Sequence, residues 1–296
     1  MSEIQRASRA YPGGPVRAVH ALTVGEAQVR PKNIAGTGTP MLWWTLTART
    51  WSPWLPVLVF VIEHERGTVL FDTGQNRASV TDPDYYPGGL LGWVYRRQAR
   101  FRVEPELDLP TQLAAIGYPV DTISHVVISH LHQDHAGNLA PFAHARVLVS
   151  AAELDLLDEK RPELHGVLAT HLPPPGVTLT PIDLTTPAPP TDAALAPFDA
   201  SHDFFGDGTL TLLPTPGHSA GSMSLLIRPP DAAPLLLVGD VTYDPGLLSR
   251  GIVPDVGDRA TQQATAKRIA ALTDALPTLR ILPAHDPTSL ERLATP

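Results

Sequence analysis

Three histidines and an aspartate fall within six residues, directly after an apolar run, in Ser129-His130-Leu131-His132-Gln133-Asp134-His135-Ala136-Gly137. Whatever fold this chain adopts must bring those polar side chains to one point without burying them unpaired. On an extended strand, residues i and i+2 point the same way, so His130 and His132 share a face. A turn through Gln133-Asp134-His135 returns two further donors toward them. Imidazoles with carboxylates form a borderline-soft N/O ligand set, suited to zinc, iron, cobalt or manganese. The run HVVIS at 125–129 has the length and composition of a buried strand, which puts the cluster at a strand end, where rigid scaffolds carry sites.

Three more candidate donors stand at the ends of apolar segments. His218 lies in Thr215-Pro216-Gly217-His218-Ser219, Asp240 directly follows the run at 235–239, and His285 lies in Pro283-Ala284-His285-Asp286. Singly, each reads as a capping or core polar residue. Jointly, all at strand ends, they read as further ligands. Asp72, in Asp72-Thr73-Gly74 after an early hairpin, reads either as a turn cap or as a carboxylate orienting a ligand imidazole. The other seven histidines, His20, His64, His125, His144, His165, His171 and His202, read as structural or solvated.

The flanking pattern is layered α/β. Residues 57–62 (VLVFVI) read as a buried strand, with 68–71 as its hairpin partner. Leu109, Leu113 and Ile116 fall at i, i+4 and i+7 of a short helix with Asp108 as its N-cap and Gly117 as its stop. A strand is expected at 146–149, then a capping box, Ser150 and Glu153, opening a helix to about residue 160. Strands follow at 209–215, 222–227, 235–239 and 280–282, and Asp258 caps a helix over 259–276. Residues 1–15 read as a loose arm and the proline-thick 172–197 as an extended loop.

Composition narrows the function. The formal net charge is 22 minus 30, or −8, which argues against nucleic-acid and membrane-surface partners. There is no cysteine, so thiolate zinc sites and cysteine nucleophiles are excluded, and the usage fits a reducing compartment. No secretory pattern is seen among the first thirty residues, and the apolar runs are too short to span a bilayer, so a cytoplasmic protein is expected.

In its order His-x-His-x-Asp-His, His, Asp, His, at 130–135, 218, 240 and 285, the chain resembles the metallo-β-lactamase superfamily. That resemblance, together with Asp72-Thr73-Gly74, covers nearly the whole chain. It implies one domain over 1–296, a four-layer αβ/βα sandwich of two mixed β-sheets flanked by helices. It also implies two divalent metal ions, zinc first among the candidates. His130, His132 and His218 would hold one ion, Asp134, His135 and His285 the other, with Asp240 and a hydroxide between them.

Within the superfamily the chain looks most like the N-acyl-homoserine lactonases. The similarity rests on Leu55-Pro56-Val57, Gly117-Tyr118, the frame of the 129–137 motif, Ser222, Ser224 and Leu225, and Tyr243 three residues after Asp240. Gln133 departs from the aromatic or aliphatic residue frequent in that branch. The resemblance implies ring opening of a small lactone by a metal-bridging hydroxide. Tyr243 would stabilise the oxyanion and Asp134 would shuttle a proton to the leaving oxygen. A glyoxalase-II-like thioesterase and a phosphodiesterase are the rival enzymes, and a non-catalytic metal-binding protein the rival of another class. Trp43, Trp44, Trp51 and Trp54 offer either sheet packing or an acyl wall. The insertion at 82–101, with Tyr85, Tyr86, Leu90, Leu91 and Trp93, is expected to be a lid or a homodimer contact.

Overall fold

Residues 57–62 are buried at every position because they alternate between two cores, not between core and water. Leu58, Phe60 and Ile62 enter one apolar cluster, while Val57, Val59 and Val61 enter another. This follows from the two-residue period of a strand lying inside a layered protein. Each such side chain contributes about 1.5–3 kcal/mol by leaving water.

The computed structural model describes residues 5–188, 190 and 192–295. Among them, thirteen strands form two mixed sheets. The first runs in the order β1 (Arg6–Ala10), β2 (Val16–Val29), β3 (Leu55–His64), β4 (Gly67–Phe71), β6 (Ile123–Val127), β7 (Arg146–Ser150) and β8 (Leu179–Ile182), with β5 (Ala99–Arg102) paired to β2. The second runs β13 (Arg280–Leu282), β12 (Leu235–Leu237), β11 (Met223–Ile227), β10 (Leu210–Pro214) and β9 (His202–Asp203). Pairing is antiparallel from β1 to β4 and parallel from β4 through β6 and β7 to β8. In the second sheet only the β12–β13 pair is parallel.

Three cores account for four layers. Leu58, Phe60 and Phe71 meet Leu212, Leu225 and Leu237 between the sheets. The outer face of the first sheet packs on Leu109 and Leu113 of the helix Leu109–Ala115. The outer face of the second packs on Ala266, Ile269 and Leu272 of the helix Arg259–Ala275. The αβ/βα sandwich of two mixed sheets flanked by helices is therefore the observed architecture.

Local signals held unevenly. Asp258 caps its helix by accepting from Thr261 N at 2.8 Å. Ser150 Oγ accepts from Glu153 N at 3.2 Å, but that helix stops at Leu154 and tightens into a 3₁₀ turn, Asp155–Asp158. Asp108 stands at the N-cap without a side-chain cap bond, and a proline in the first turn starts the helix instead.

Two expectations need correction. The arm at 1–15 contains β1, paired along its length with β2, itself fourteen residues and the longest strand; residues 1–4 lie outside the described residues. The loop at 172–197 contains β8, whose Pro181 is tolerated because β8 is the last strand on that side. The insertion at 82–101 holds a helix, Gly89–Gln98, and the start of β5. No helix of the described residues is long and apolar enough to cross a membrane.

Candidate metal centre

All seven candidate ligands converge at one edge of the sandwich. Beyond β6 the chain delivers His130 and His132, and the short helix Gln133–Ala136 turns Asp134 and His135 back toward them. The loop after β10 brings His218, the end of β12 brings Asp240, and the end of β13 brings His285. Potential ligand atoms fall into three groups, each with all its atoms within 4.8 Å of one another. They are His130 with His132 and His218, Asp134 with His135 and His285, and His130 with His135 and Asp240.

Asp240 faces both outer groups. Its Oδ1 lies 3.1 Å from His135 Nε2 and 3.3 Å from His285 Nε2, while its Oδ2 lies 3.6 Å from His218 Nε2. Asp134 Oδ2 stands 3.4 Å from His285 Nε2.

The outer nitrogens of the rings decide which nitrogens face inward. His132 Nε2 lies 3.0 Å from the carbonyl oxygen of His165, and His285 Nδ1 lies 2.9 Å from that of Pro56. A carbonyl can only accept, so those nitrogens carry protons and the opposite ones, Nδ1 of His132 and Nε2 of His285, face inward. His135 Nδ1 donates to Asp72 Oδ2 at 2.8 Å. Ser129 Oγ donates to the same oxygen at 2.9 Å, so at 3.0 Å it accepts from His130 Nδ1. Inside the cluster, His130 Nε2, His135 Nε2, His285 Nε2 and Asp240 Oδ1 are buried and form no hydrogen bond. Buried polar atoms left this way are costly unless something else satisfies them. The residues present therefore fit a pair of cations.

Electrostatics divides the rings in the same way. Burial lowers His130 well below the usual imidazole range and takes His218 to about 3, keeping both as neutral donors. Burial also opposes charge on His285, but Asp240 and Asp134 outweigh it and raise the ring to about 10. Burial works to raise Asp240, yet His285 and His135 hold it well below the usual carboxylate range. The carboxylate side of the cluster thus attracts positive charge.

Tyr243 donates its hydroxyl to Asp240 Oδ2 at 3.0 Å, and its ring stacks on His285 with centroids 5.3 Å apart. Burial and then Asp240 raise its pKa well above the phenol range, so it stays a neutral donor.

Two supporting elements extend the site. Asp72 also accepts from Ser129 N at 2.7 Å, and it sits at φ 63, a left-handed conformation kept at this functional turn. Thr73 N and Thr73 Oγ1 both donate to His135 O, tying that turn to the ligand helix. Gly137 is required there: a Cβ would lie 2.3 Å from Gln133 O.

The second element is Glu153, fully buried and read in the sequence only as a capping residue. Its carboxylate accepts from Leu131 N at 2.9 Å, Gly221 N at 2.9 Å and Ser219 Oγ at 2.6 Å. It therefore clamps the His130–His132 segment to the His218 loop. The only sequence signal was a glutamate at the third position of a short helix beside a ligand-bearing strand.

A cavity of about 860 Å³ opens beside His132 and His218. Met41, Leu91, Val94, Tyr95, Leu156 and Leu164 give it an apolar wall. Its charged lining is Glu163, Asp255 and Asp258 against Arg259, which pairs with Asp255 at 3.1 Å. None of the four tryptophans at 43–54 lines it, which corrects the acyl-wall expectation. Trp44 is buried, Trp51 lies under Arg30 and Arg100, Trp54 lies under Arg102, and Trp43 faces outward. Gln133, the departure in the motif, accepts from Gln75 Nε2 at 3.3 Å.

A family model described as the metallo-beta-lactamase superfamily matches residues 52–285. The N-acyl homoserine lactonase AttM of Rhizobium radiobacter is 31% identical over 196 residues, which are 64% of this chain and 66% of that protein. The match thus spans just under two thirds of that relative's length. An N-acyl homoserine lactone hydrolase with N-hexanoyl-L-homoserine at its catalytic metal centre superimposes with a TM-score of 0.69 at 21% identity, covering 92% of this chain and 94% of that one. AidC, a dizinc quorum-quenching lactonase, superimposes with a TM-score of 0.62 at 16% identity, covering 96% and 92%. At these identities the two likenesses establish a shared fold.

Proposed function

The chain belongs to the metallo-β-lactamase superfamily, and from that premise we propose that it is a dinuclear metal-dependent hydrolase that opens the ring of N-acyl homoserine lactones. His130, His132 and His218 would hold one ion, and Asp134, His135 and His285 the other, with Asp240 shared. Zinc is our first choice, in keeping with the dizinc neighbour. Such ions, when bound, polarise a carbonyl and ready a water for attack near neutral pH.

The remaining roles fall to the chain's own groups. The lactone carbonyl oxygen takes the Tyr243 hydroxyl as hydrogen-bond donor as charge develops on it. Asp134, beside the cluster, takes the proton released by the attacking water and passes it to the ring oxygen as the acyl C–O bond breaks. The apolar wall of the cavity receives the acyl tail, and the helix Gly89–Gln98 serves as its cover.

One observation favours a neutral lactone over an anionic phosphodiester or glutathione thioester: the charged lining of the cavity is predominantly acidic. An anion would approach against that field. We place the protein in the cytoplasm, in keeping with its cysteine-free sequence. The test is a hydrolysis panel of hexanoyl-homoserine lactone, S-lactoylglutathione and bis-p-nitrophenyl phosphate, with metal content measured on the same zinc-loaded sample. We expect two ions per chain and turnover confined to the lactone. Faster cleavage of either other substrate assigns the site to another chemistry on this fold.

A further inference from the structure

Two neighbouring helices turn large apolar side chains to the outside. On Met41–Thr47, Trp44 is buried while Leu42 is 67% and Trp43 64% exposed, with Leu46 beside them. On Gly89–Gln98, Leu90 is 77% exposed and Trp93 follows one turn later on the same face. Arg97 joins the two surfaces. Its Nε donates to Thr45 O at 3.1 Å, an Nη to Ala48 O at 3.1 Å, and its guanidinium lies 5.9 Å from the Trp93 ring. Several large apolar side chains exposed on two neighbouring helices mark an interaction surface.

The charge around the patch runs against the charge of the chain. Residues 31–54 and 85–103, which hold the two helices, contain Lys32, Arg49, Arg96, Arg97, Arg100 and Arg102 and no aspartate or glutamate, although Asp255 bonds the backbone of residues 37–39 from outside these segments. Removing those six cations leaves 16 against 30 in the rest of the chain, a balance of −14. Among the described residues only Arg102 of the six forms an ion pair, with Glu26 at 3.2 Å. Beside the patch, Arg96 and Arg100 line a groove of about 520 Å³, in which Asp82 is the one carboxylate.

We infer that this face docks on an anionic lipid surface, with Leu42, Trp43, Leu46, Leu90 and Trp93 entering the headgroup boundary and the surrounding arginines meeting lipid phosphates. Tryptophan and leucine flanked by cations are the composition of interfacial helices. A second copy of the chain fits less well, because a two-fold contact would set the same cations against each other. The net charge of −8, which argued against a membrane partner, averages over this segregation. Both helices also line the cavity, through Met41 on one and Leu91 and Val94 on the other. Docking would therefore set the cavity mouth near the bilayer, where acylated molecules partition. That benefit rests on the lactonase reading; the docking itself rests on exposure and charge.

The test is sedimentation of zinc-loaded full-length protein with vesicles, without substrate, so that its outcome is independent of the hydrolysis panel. We expect at least tenfold stronger partitioning to phosphatidylcholine vesicles holding about a third phosphatidylglycerol than to pure phosphatidylcholine, weakened in about 0.5 M salt. Leu42→Glu and, separately, Arg49→Glu should each reduce it several-fold while leaving circular dichroism and soluble-substrate turnover unchanged. No partitioning, equal partitioning to both vesicles, or a dimer in sedimentation velocity that Leu42→Glu dissociates without any vesicle binding would each overturn the assignment.

Discussion

Asp72 holds His135 from a strained position: its Oδ2 accepts from His135 Nδ1 at 2.8 Å while its own backbone sits at φ 63. The carboxylate fixes the ring so that Nε2 faces Asp240. Asn tolerates left-handed backbone and matches Asp in shape, so Asp72→Asn removes the charge while sparing the turn. We expect a 10–100-fold weaker hold on one of two zinc ions, the usual effect of losing a ligand's outer partner. Titration against a chelating dye measures it. Unchanged affinity at both sites would reduce Asp72 to a turn cap.

Tyr243→Phe deletes the hydroxyl that bonds Asp240 and leaves the ring stacked on His285. Lactone turnover should fall by about one to two orders of magnitude, less than for a lone oxyanion donor because other groups at the site share the charge. Metal content should stay at the wild-type value. A loss of metal in step with activity would mean that the hydroxyl acts on Asp240 and not on the substrate.

Glu153→Ala strands three buried donors, on Leu131, Ser219 and Gly221. Each unsatisfied donor costs about 1–3 kcal/mol, so destabilisation on the order of 3–5 kcal/mol is expected once water enters partway. Because the clamp joins the His130–His132 segment to the His218 loop, metal should be lost first from that group. Urea unfolding with and without zinc separates the two effects. Equal destabilisation in both conditions would make Glu153 purely structural.

The candidate metal ligands were legible as a group because their chemistry is restrictive. Few residue types hold a divalent cation, and their spacing 130, 132, 134, 135 has little other use. The strand at 57–62 was legible because a continuous apolar run has nowhere to go but a doubly covered sheet. β2 was not. Its Val16–Val29 stretch is broken by Arg17, His20 and Glu26, which a long twisted strand places at exposed or half-buried positions. Glu153 was misread because capping and clamping call for the same residue at the same place. The tryptophans stayed open between packing and an acyl wall because composition gives hydrophobic content but not direction. Arg30, Arg100 and Arg102, distant in sequence, cover two of them.

His64 gives the fold an acid limit away from the metal cluster. Its Nδ1 accepts from Arg66 N at 3.1 Å, and its Nε2 faces Thr209 Oγ1 at 3.1 Å and Asp207 Oδ2 at 3.2 Å. Burial lowers its pKa, ahead of the opposing pull of Asp207 and Glu65 and the added push of Arg66. With the folded pKa below the unfolded value, the unfolded chain binds more protons, so stability is present above about pH 6.5 and is lost as pH falls through it. His20, His125 and His202 are lowered chiefly by burial and act in the same direction. The melting temperature should drop between pH 7.5 and 5.5, and by less in His64→Gln at equal metal content. An identical drop in the variant would rule out His64 as a contributor.

The apolar wall sets a length rule for the acyl chain. Leu91 and Val94 lie one turn apart on the helix Gly89–Gln98 and face the cavity together with Met41, Leu156 and Leu164. Each methylene laid against such a wall is worth about 0.8 kcal/mol, nearly fourfold in affinity. If that affinity is expressed in the transition state as well as the ground state, kcat/KM should rise by a similar factor per carbon until the wall ends. Val94→Trp fills part of the channel without touching a ligand residue. It should leave short-chain lactones near wild-type rates and flatten the series two or more carbons earlier, since overpacking excludes the tail and not the ring. The measurement is kcat/KM for homoserine lactones of increasing acyl length, wild type against Val94→Trp. Parallel series in the two proteins would show that the tail leaves the metal centre by another route, and equal rates at all lengths in wild type would show that the wall makes no use of the tail.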